Sequence, residues 1–572
     1  MRFFNLLLFA FIAGLGEARR DSRHAGKAIA DKIELLKRRF HHAPVDTEKA
    51  EGVQNIKRES PTIIPQTEAI KKFVVDGTKI PDVDFDIGES YAGLLPISNA
   101  PDAGQLYFWF FPTSNPNGTE DLTIWLNASC PRLTLYFSLI VPKGGPGCSS
   151  LEGFLQGNGP FLWQYGTFKP VKNPWSWHTL TNMIWIDQPI GTGFSQGIST
   201  ETTLEAVSAS LLGFLKNFED KFNFKNKKIY LAGESFGGYY VPYSADAMFN
   251  TGNKTYFDLQ GTLIIDGAIN SDAIMQNIPL VKYVKDYEKF FNLNATTMKD
   301  LTATAEKCGY TKYLAEHLVY PPKGKLPIPP QTTQRCAVWH RVLEAAKLFN
   351  PCFNIYSIAT TCPNLWDVLG FPGSFEYLPP GAEVYFNRPD VQKAINAPIQ
   401  KWAECSEVAL GRDSSPPSGV SVLPSVIERS KRTIIAHGSL DFVLLKDGPL
   451  LTIQNMTWGG KQGFQSAPES DFFVPYHTEL NLGTTAGAGV MGITHTERKL
   501  TWVEIFMSGH MVAQYQPSAA YRQMEFLLGR IQSLSQISAF TTQPGVPQPK
   551  SGVDAQLDFV NTTVNERELF GR

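Results

Sequence analysis

The stretch KIYLAGESFGGYY, Lys228 to Tyr240, constrains the fold more than any other segment. An apolar run rich in Ile, Tyr and Leu reads as a strand. It runs into Gly233-Glu234-Ser235-Phe236-Gly237, and a helix-like segment follows. Small residues on both sides of a serine permit a sharp strand-to-helix turn, which lifts the hydroxyl above the sheet edge. An ordinary turn with a chance serine would look the same in isolation, so the rest of the chain has to decide.

Five other short apolar runs share that form: LTIWLN, NMIWIDQP, GTLIIDGAIN, RTIIAHGSLD and TWVEIFMSGH. Continuous runs of this length fit strands buried on both faces. Helical patterns separate some of them. After NMIWIDQP, for example, Leu204, Val207, Leu211 and Leu215 recur at helical spacing. Such alternation predicts an α/β fold: a mainly parallel central sheet with helices on both faces. Between residues 272 and 378 the pattern weakens, and four cysteines and a Pro-rich loop, VYPPKGKLPIPPQ, appear. This segment reads as an inserted cap. It divides the core into a first part, 75–271, and a second part, 379–535. The Pro-, Gln- and Ser-rich residues 536–572 read as a mobile tail. Length alone would allow two to four domains, but large α/β enzymes often form one domain with insertions.

The serine has partners in a telling order. Asp441 ends RTIIAHGSLD and His510 ends TWVEIFMSGH. Ser, Asp, His is the chain order of the α/β-hydrolase fold. A serine hydroxyl is a weak nucleophile until a base takes its proton, and a buried carboxylate keeps that imidazole in the useful tautomer. His437 and Asp447 lie nearby, but His437 sits within its strand and reads as a structural histidine. No Cys/His spacing matches a zinc site, and neither a metal nor a cofactor is expected.

The N-terminus, MRFFNLLLFAFIAGLGEARR, has one Arg, an apolar run and then small residues. Residues 1–18 read as a secretory signal peptide, since the run is too short for a membrane span of about 20 residues. Residues 19–60 are basic, carry KRR and KR, and read as either a solvated tail or a pro-segment cut at a dibasic pair. The expected protein is secreted, extracellular or vacuolar, without a membrane anchor. Asn117, Asn253, Asn294, Asn455 and Asn561 each begin a glycosylation triplet. A formal charge of -2 gives no reason to expect nucleic acid as a partner. Seven cysteines leave one over after pairing.

Together GGPGCSSLEG, NPWSWHTLTNMIWIDQPIGTGFS, GESFGGYY, Asp441-Phe442 and GHMVAQYQP resemble the serine carboxypeptidases, in particular the secreted fungal ones. The resemblance covers roughly residues 80–534 and implies cleavage of C-terminal residues from peptides and proteins. It assigns Ser235, Asp441 and His510 as the catalytic triad and the amides of Gly145 and Phe236 as the oxyanion hole. It assigns Asn127, Gly144 and Glu234 to the substrate's terminal carboxylate, with Trp125 as a buttress. It also implies a Cys148–Cys405 disulfide. Burial beside a carboxylate raises a carboxyl's pKa. A protonated Glu234 would donate to the substrate, so acidic pH should favour binding. The family's Tyr-Ala after the serine is Phe236-Gly237 here, its Pro after HMV is Ala513, and a second family Glu falls on Gly157. Plant relatives use the same triad for acyl transfer, which stands as an alternative function.

One stretch breaks the resemblance. The family runs W-L-N directly into G-G-P-G-C-S-S, whereas ASCPRLTLYFSLIVPK, Ala128 to Lys143, stands between them here. Removing these sixteen residues restores WLNGGPGCSSLEG and leaves six cysteines, because Cys130 goes with them. Residues 128–143 read as an intron translated in frame. If the insert is native, it parts Asn127 from Gly144 and Gly145, and a catalytically impaired binding protein becomes the rival reading.

Overall fold

The computed structural model describes residues 63–127, 146–370, 383–406, 410, 413–477 and 486–542. The signal and pro-segment readings, the insert, Cys130, Gly144, Gly145 and Asn561 lie outside them, as do residues 371–378 of the expected cap.

Eleven strands form the main sheet among the described residues. In chain order they are β1 (Val74–Val75), β2 (Ser90–Pro96), β3 (Gln105–Phe111), β4 (Asp121–Leu126), β5 (Asn182–Ile186) and β6 (Lys228–Glu234). Then come β7 (Asp258–Ile265), β8 (Arg432–Gly438), β9 (Ser470–Val474), β10 (Gly489–Glu497) and β11 (Leu500–Ile505). Their spatial order is β1-β2-β3-β5-β4-β6-β7-β8-β11-β10-β9. The six runs read from the sequence are β4, β5, β6, β7, β8 and β11. They form the continuous parallel centre, and antiparallel strands extend it on both sides.

Every residue of β4, β5 and β11 is buried, because cover lies on both faces of a parallel sheet. Near the edge, β10 mixes buried, half-buried and exposed positions. Helix α1 (Leu204–Phe222) starts where the Thr203 hydroxyl accepts the Ala206 amide, and it ends at Asn223 in the left-handed region. Its buried stripe includes Leu204, Val207, Leu211 and Leu215. Phe214, Phe218 and Phe222 meet Phe108 of β3 with ring centroids 5.6–5.9 Å apart.

β4 is the topological switch. The chain passes to β5 on one side and then to β6 on the other. In open α/β sheets the crevice beyond the C-terminal strand ends at such a point is where ligands bind. Asn127 follows β4, Ser235 follows β6, and Asp441 and His510 follow β8 and β11.

Between β7 and β8 the described residues contribute no strand to the main sheet. They form helices at Leu280–Asp286, Glu288–Phe291, Ala295–Lys307, Tyr310–His317 and Val338–Phe349. The described cysteines pair as Cys148–Cys405, Cys308–Cys336 and Cys352–Cys362. One boundary moves. Residues 536–542, read as the start of a mobile tail, are docked. Phe540 is buried against Trp175 and Tyr521, and the Thr541 hydroxyl donates to Glu525 at 2.6 Å. An aromatic side chain that finds an apolar seat outweighs the polar composition around it.

Candidate active site

Ser235 has φ 58°, the left-handed region that side chains other than glycine rarely adopt. Its amide donates to Ile265 O at 3.0 Å, and its carbonyl accepts the amides of Gly238 (2.9 Å) and Ala268 (2.8 Å). Helix α2 (Gly237–Thr251) begins two residues later. Two glycines are sterically required. A Cβ on Gly233 would lie 2.7 Å from Leu126 O, and one on Gly238 would lie 2.6 Å from the Ala268 backbone. Gly238 stands outside the G-x-S-x-G pattern. Its need for smallness comes from the close passage of the β7 exit loop.

Asp441 and His510 are fully buried. His510 Nδ1 lies 2.8 Å from Asp441 Oδ2, while Asp441 Oδ1 accepts the amides of Val443 (2.7 Å) and Leu444 (3.3 Å). Donation from Nδ1 to a carboxylate leaves Nε2 of the neutral ring as the acceptor. His510 Nε2 is buried and has no hydrogen-bond partner, so it makes no bond to Ser235 in this structure. Such bonds often close only when substrate is bound. The arrangement can take a proton from a hydroxyl brought to Nε2.

Neither Asp441 nor His510 belongs to a strand. Each sits in a loop beyond one, and a short turn after the expected cap helices holds both loops. Ile355 O accepts the Phe442 amide (2.9 Å), Tyr356 O accepts the His510 amide (2.8 Å), and the Ile358 amide donates to Leu440 O (3.1 Å). The Cys352–Cys362 disulfide closes this turn. Trp339 adds a bond from Nε1 to Phe442 O (2.8 Å) and stacks on the Phe442 ring. The cysteine count pointed to a pairing here, but nothing local in the sequence linked it to the acid and the histidine.

Asn127 and the Gly147–Ser150 turn, which flank the suspected insert, lie side by side. The Asn127 amide donates to Ser150 Oγ (3.0 Å), and the Gly147 amide donates to the Tyr240 hydroxyl (3.2 Å). The Asn127 side chain donates to Glu152 Oε2 at 2.8 Å, and Trp125 beneath it is buried. Glu152 was not singled out from the sequence, although it lies within the quoted GGPGCSSLEG. Burial pushes its carboxyl up from 4.5 to about 7. Two more acids press on it. Burial raises Asp367 to about 6 and Glu404 well above the usual range. Glu404 is delivered by its neighbour Cys405, which is bonded to Cys148, and its carbonyl accepts the Ser149 amide at 2.7 Å. Gly157, where a family glutamate was expected, has a neighbour in the equally divergent Ala513. A Cβ at Gly157 would meet that methyl at 3.3 Å.

Of the glycosylation candidates, Asn117, Asn253 and Asn294 are exposed and Asn455 is half-buried. No helix among the described residues is long and apolar enough to cross a membrane.

A mainly parallel sheet with a serine on a left-handed elbow and a buried acid–histidine pair beyond its strand ends defines an α/β-hydrolase. The profile of the serine carboxypeptidases, Peptidase S10, matches residues 81–529. The chain belongs to that family and is a serine-type carboxypeptidase, a hydrolase of peptides. It is 56% identical over 479 residues to a probable serine carboxypeptidase of Arthroderma benhamiae, covering 81% of this chain and 88% of that one. It is 41% identical over 518 residues to the serine-type carboxypeptidase F of Aspergillus niger, covering 85% and 94%. A solved prohormone-processing carboxypeptidase of Saccharomyces cerevisiae shares the fold, with a TM-score of 0.62, 24% identity, and coverage of 82% of this chain and 98% of that one.

Two predictions follow from this geometry. Replacing Cys352 and Cys362 by Ser should lower kcat roughly 10- to 100-fold, with a smaller change in KM, because the loops carrying Asp441 and His510 lose their common clamp. Steady-state kinetics alongside melting curves read this out. The second concerns Glu152. Its pKa is higher in the folded chain than 4.5, so folding favours proton uptake between 4.5 and about 7. The associated stability is complete below 4.5 and is lost as pH rises through about 7. Tm should therefore fall over this window, and Glu152→Gln should flatten the fall without abolishing it, since Asp367 acts in the same direction.

Proposed function

We propose that this carboxypeptidase is secreted and works at acidic pH through an acyl-enzyme at Ser235. One observation carries the reading: the strained serine at the end of β6 shares the C-terminal side of the sheet with an Asp441–His510 pair whose Nε2 is open. His510 takes the Ser235 proton as Oγ attacks the scissile carbonyl. Asp441 stabilises the imidazolium, which then protonates the departing amine. The Phe236 amide, at the start of α2, and the Gly145 amide receive the oxyanion. Water repeats the sequence and frees the enzyme.

The substrate's terminal carboxylate is assigned to Asn127, Gly144 and Glu234. Glu152 holds the Asn127 side chain. A pocket lined by acids must carry protons to accept another carboxylate. The high values at Glu152 and Asp367 support an acidic working range. The signal-like N-terminus and the three disulfides support an oxidising, extracytoplasmic location, outside the cell or in the vacuole.

Ser235→Ala should lower turnover by about 10⁴-fold or more and abolish fluorophosphonate labelling, and Asp441→Asn should cost a similar factor. At mildly acidic pH an N-blocked dipeptide with a free C-terminus should be cleaved far faster than its amide. Equal rates on the two would refute the assignment of the carboxylate site.

The insert reading is tested separately. The segments on either side of residues 128–143 already meet through Asn127 and Ser150. A variant lacking these residues should be secreted and active, whereas the full chain should be secreted poorly or be much less active. Equal activity of both forms would show that the stretch is harmless.

A further inference from the structure

A second carboxyl group stands behind the acid–histidine pair. Asp266 follows β7 directly, with φ 42° and no exposed surface. Its amide donates to Ala436 O (2.8 Å), and its Oδ1 accepts the Gly438 amide (2.9 Å). His437 Nε2 lies 3.4 Å from Asp266 Oδ1 and 3.5 Å from Asp441 Oδ2, the oxygen that faces His510. One side-chain atom from each of Asp266, His437 and Asp441 lies within 4.8 Å of the other two.

Two buried carboxyl groups this close need either a cation or a shared proton. His437 does not supply the cation. Its Nε2 lies 2.7 Å from Leu444 O, so that nitrogen carries the proton and donates it. Burial holds its pKa down to about 4, which keeps the ring neutral. Glu234 from β6, when ionised, raises Asp266 further, and Tyr283 from the helix at Leu280–Asp286 is neutral. Lys446, which acts on His437, is paired with Glu504 at 3.1 Å. The shared proton must therefore rest on one of the two acids. Asp441 already accepts two backbone amides and His510 Nδ1, all of which favour its charged form. Asp266 accepts one amide. Burial and the Asp441 charge raise the Asp266 carboxyl well above its ordinary range.

We propose that Asp266 is a positioning residue of the catalytic centre, a neutral carboxylic acid that donates its proton to Asp441. The proposal rests on the triad reading given above. Its consequence is chemical. A hydrogen bond from a neutral acid draws charge from Asp441 and so weakens the pull that would make His510 more basic. His510 then stays neutral, and able to act as a base, at a lower pH. This links a residue that touches no substrate to the acidic working range.

Asparagine reproduces the donor: its Oδ1 can accept from Gly438 and its Nδ2 can donate to Asp441. It also tolerates the left-handed backbone. Glycine tolerates that backbone but removes the donor. The test compares kcat/KM against pH for wild type, Asp266→Asn and Asp266→Gly on an N-blocked dipeptide. Asp266→Asn should stay within about threefold of wild type and keep its acidic limb. Asp266→Gly should lose kcat at least tenfold at acidic pH, with little change in KM, and shift the acidic limb up by about one pH unit. The infrared difference spectrum between wild type and Asp266→Asn at neutral pH should show a protonated-carboxyl band lost in the variant, a readout that does not require Asp266→Gly to fold. An unmoved limb in Asp266→Gly, an Asp266→Asn as impaired as Asp266→Gly, or a missing infrared band would overturn the proposal. Residual turnover in Ser235→Ala would instead overturn the triad reading, so the two failures are distinguishable.

Discussion

The left-handed turn at Ser235 is the constraint on which the site depends. A side chain in that conformation costs about 1–2 kcal/mol. The turn persists because its backbone is bonded on both sides, to Ile265 and from Gly238 and Ala268. Ile265 and Ala268 belong to the next strand and its exit loop, and Gly238 to helix α2. Gly238 can only be glycine because the Ala268 backbone passes so close, and Gly233 because Leu126 O of β4 does. The elbow is therefore a property of three segments at once. The hydroxyl is presented at the strand end, while the amide of Phe236 opens helix α2.

The acid and histidine obey a different constraint. Both sit in loops beyond their strands, where only the bonds from Ser439 to Ile505 and from Leu440 to Ser508 continue the pairing of β8 with β11. The turn closed by Cys352–Cys362 supplies further restraint through Ile355, Tyr356 and Ile358. The segment between β7 and β8 thus braces the loops that carry the Asp441–His510 pair. A disulfide at the same distance in sequence but elsewhere in space would contribute stability without this alignment.

Buried acids are the third theme. Glu152, Asp367, Glu404 and Asp266 are all raised by burial. At neutral pH Asp367 has to ionise in a dry interior, at a cost, whereas Glu404 and Asp266 keep their protons. At acidic pH they act as neutral hydrogen-bonding groups. The common direction of these shifts ties stability to one range of pH.

Much of this was legible in the sequence. The six apolar runs became the parallel centre because a strand covered on both faces must be apolar throughout, a pattern visible without knowing its neighbours. The positions of Ser235, Asp441 and His510 beyond strand ends were readable because strand ends and their order reveal where such a fold presents side chains. Glu152 and Asp266 were not. Each looks like an ordinary acid beside a glycine or a leucine, and its chemistry arises only when folding removes water and brings Asn127 or Asp441 against it. The docking of Phe540 and the clamp from residues 355–358 were hidden for the same reason. Local sequence determined which segments are strands and where the serine turn lies. Tertiary structure alone decided which buried acids hold protons and what holds Asp441 against His510, because burial and long-range backbone bonds are properties of the packed chain.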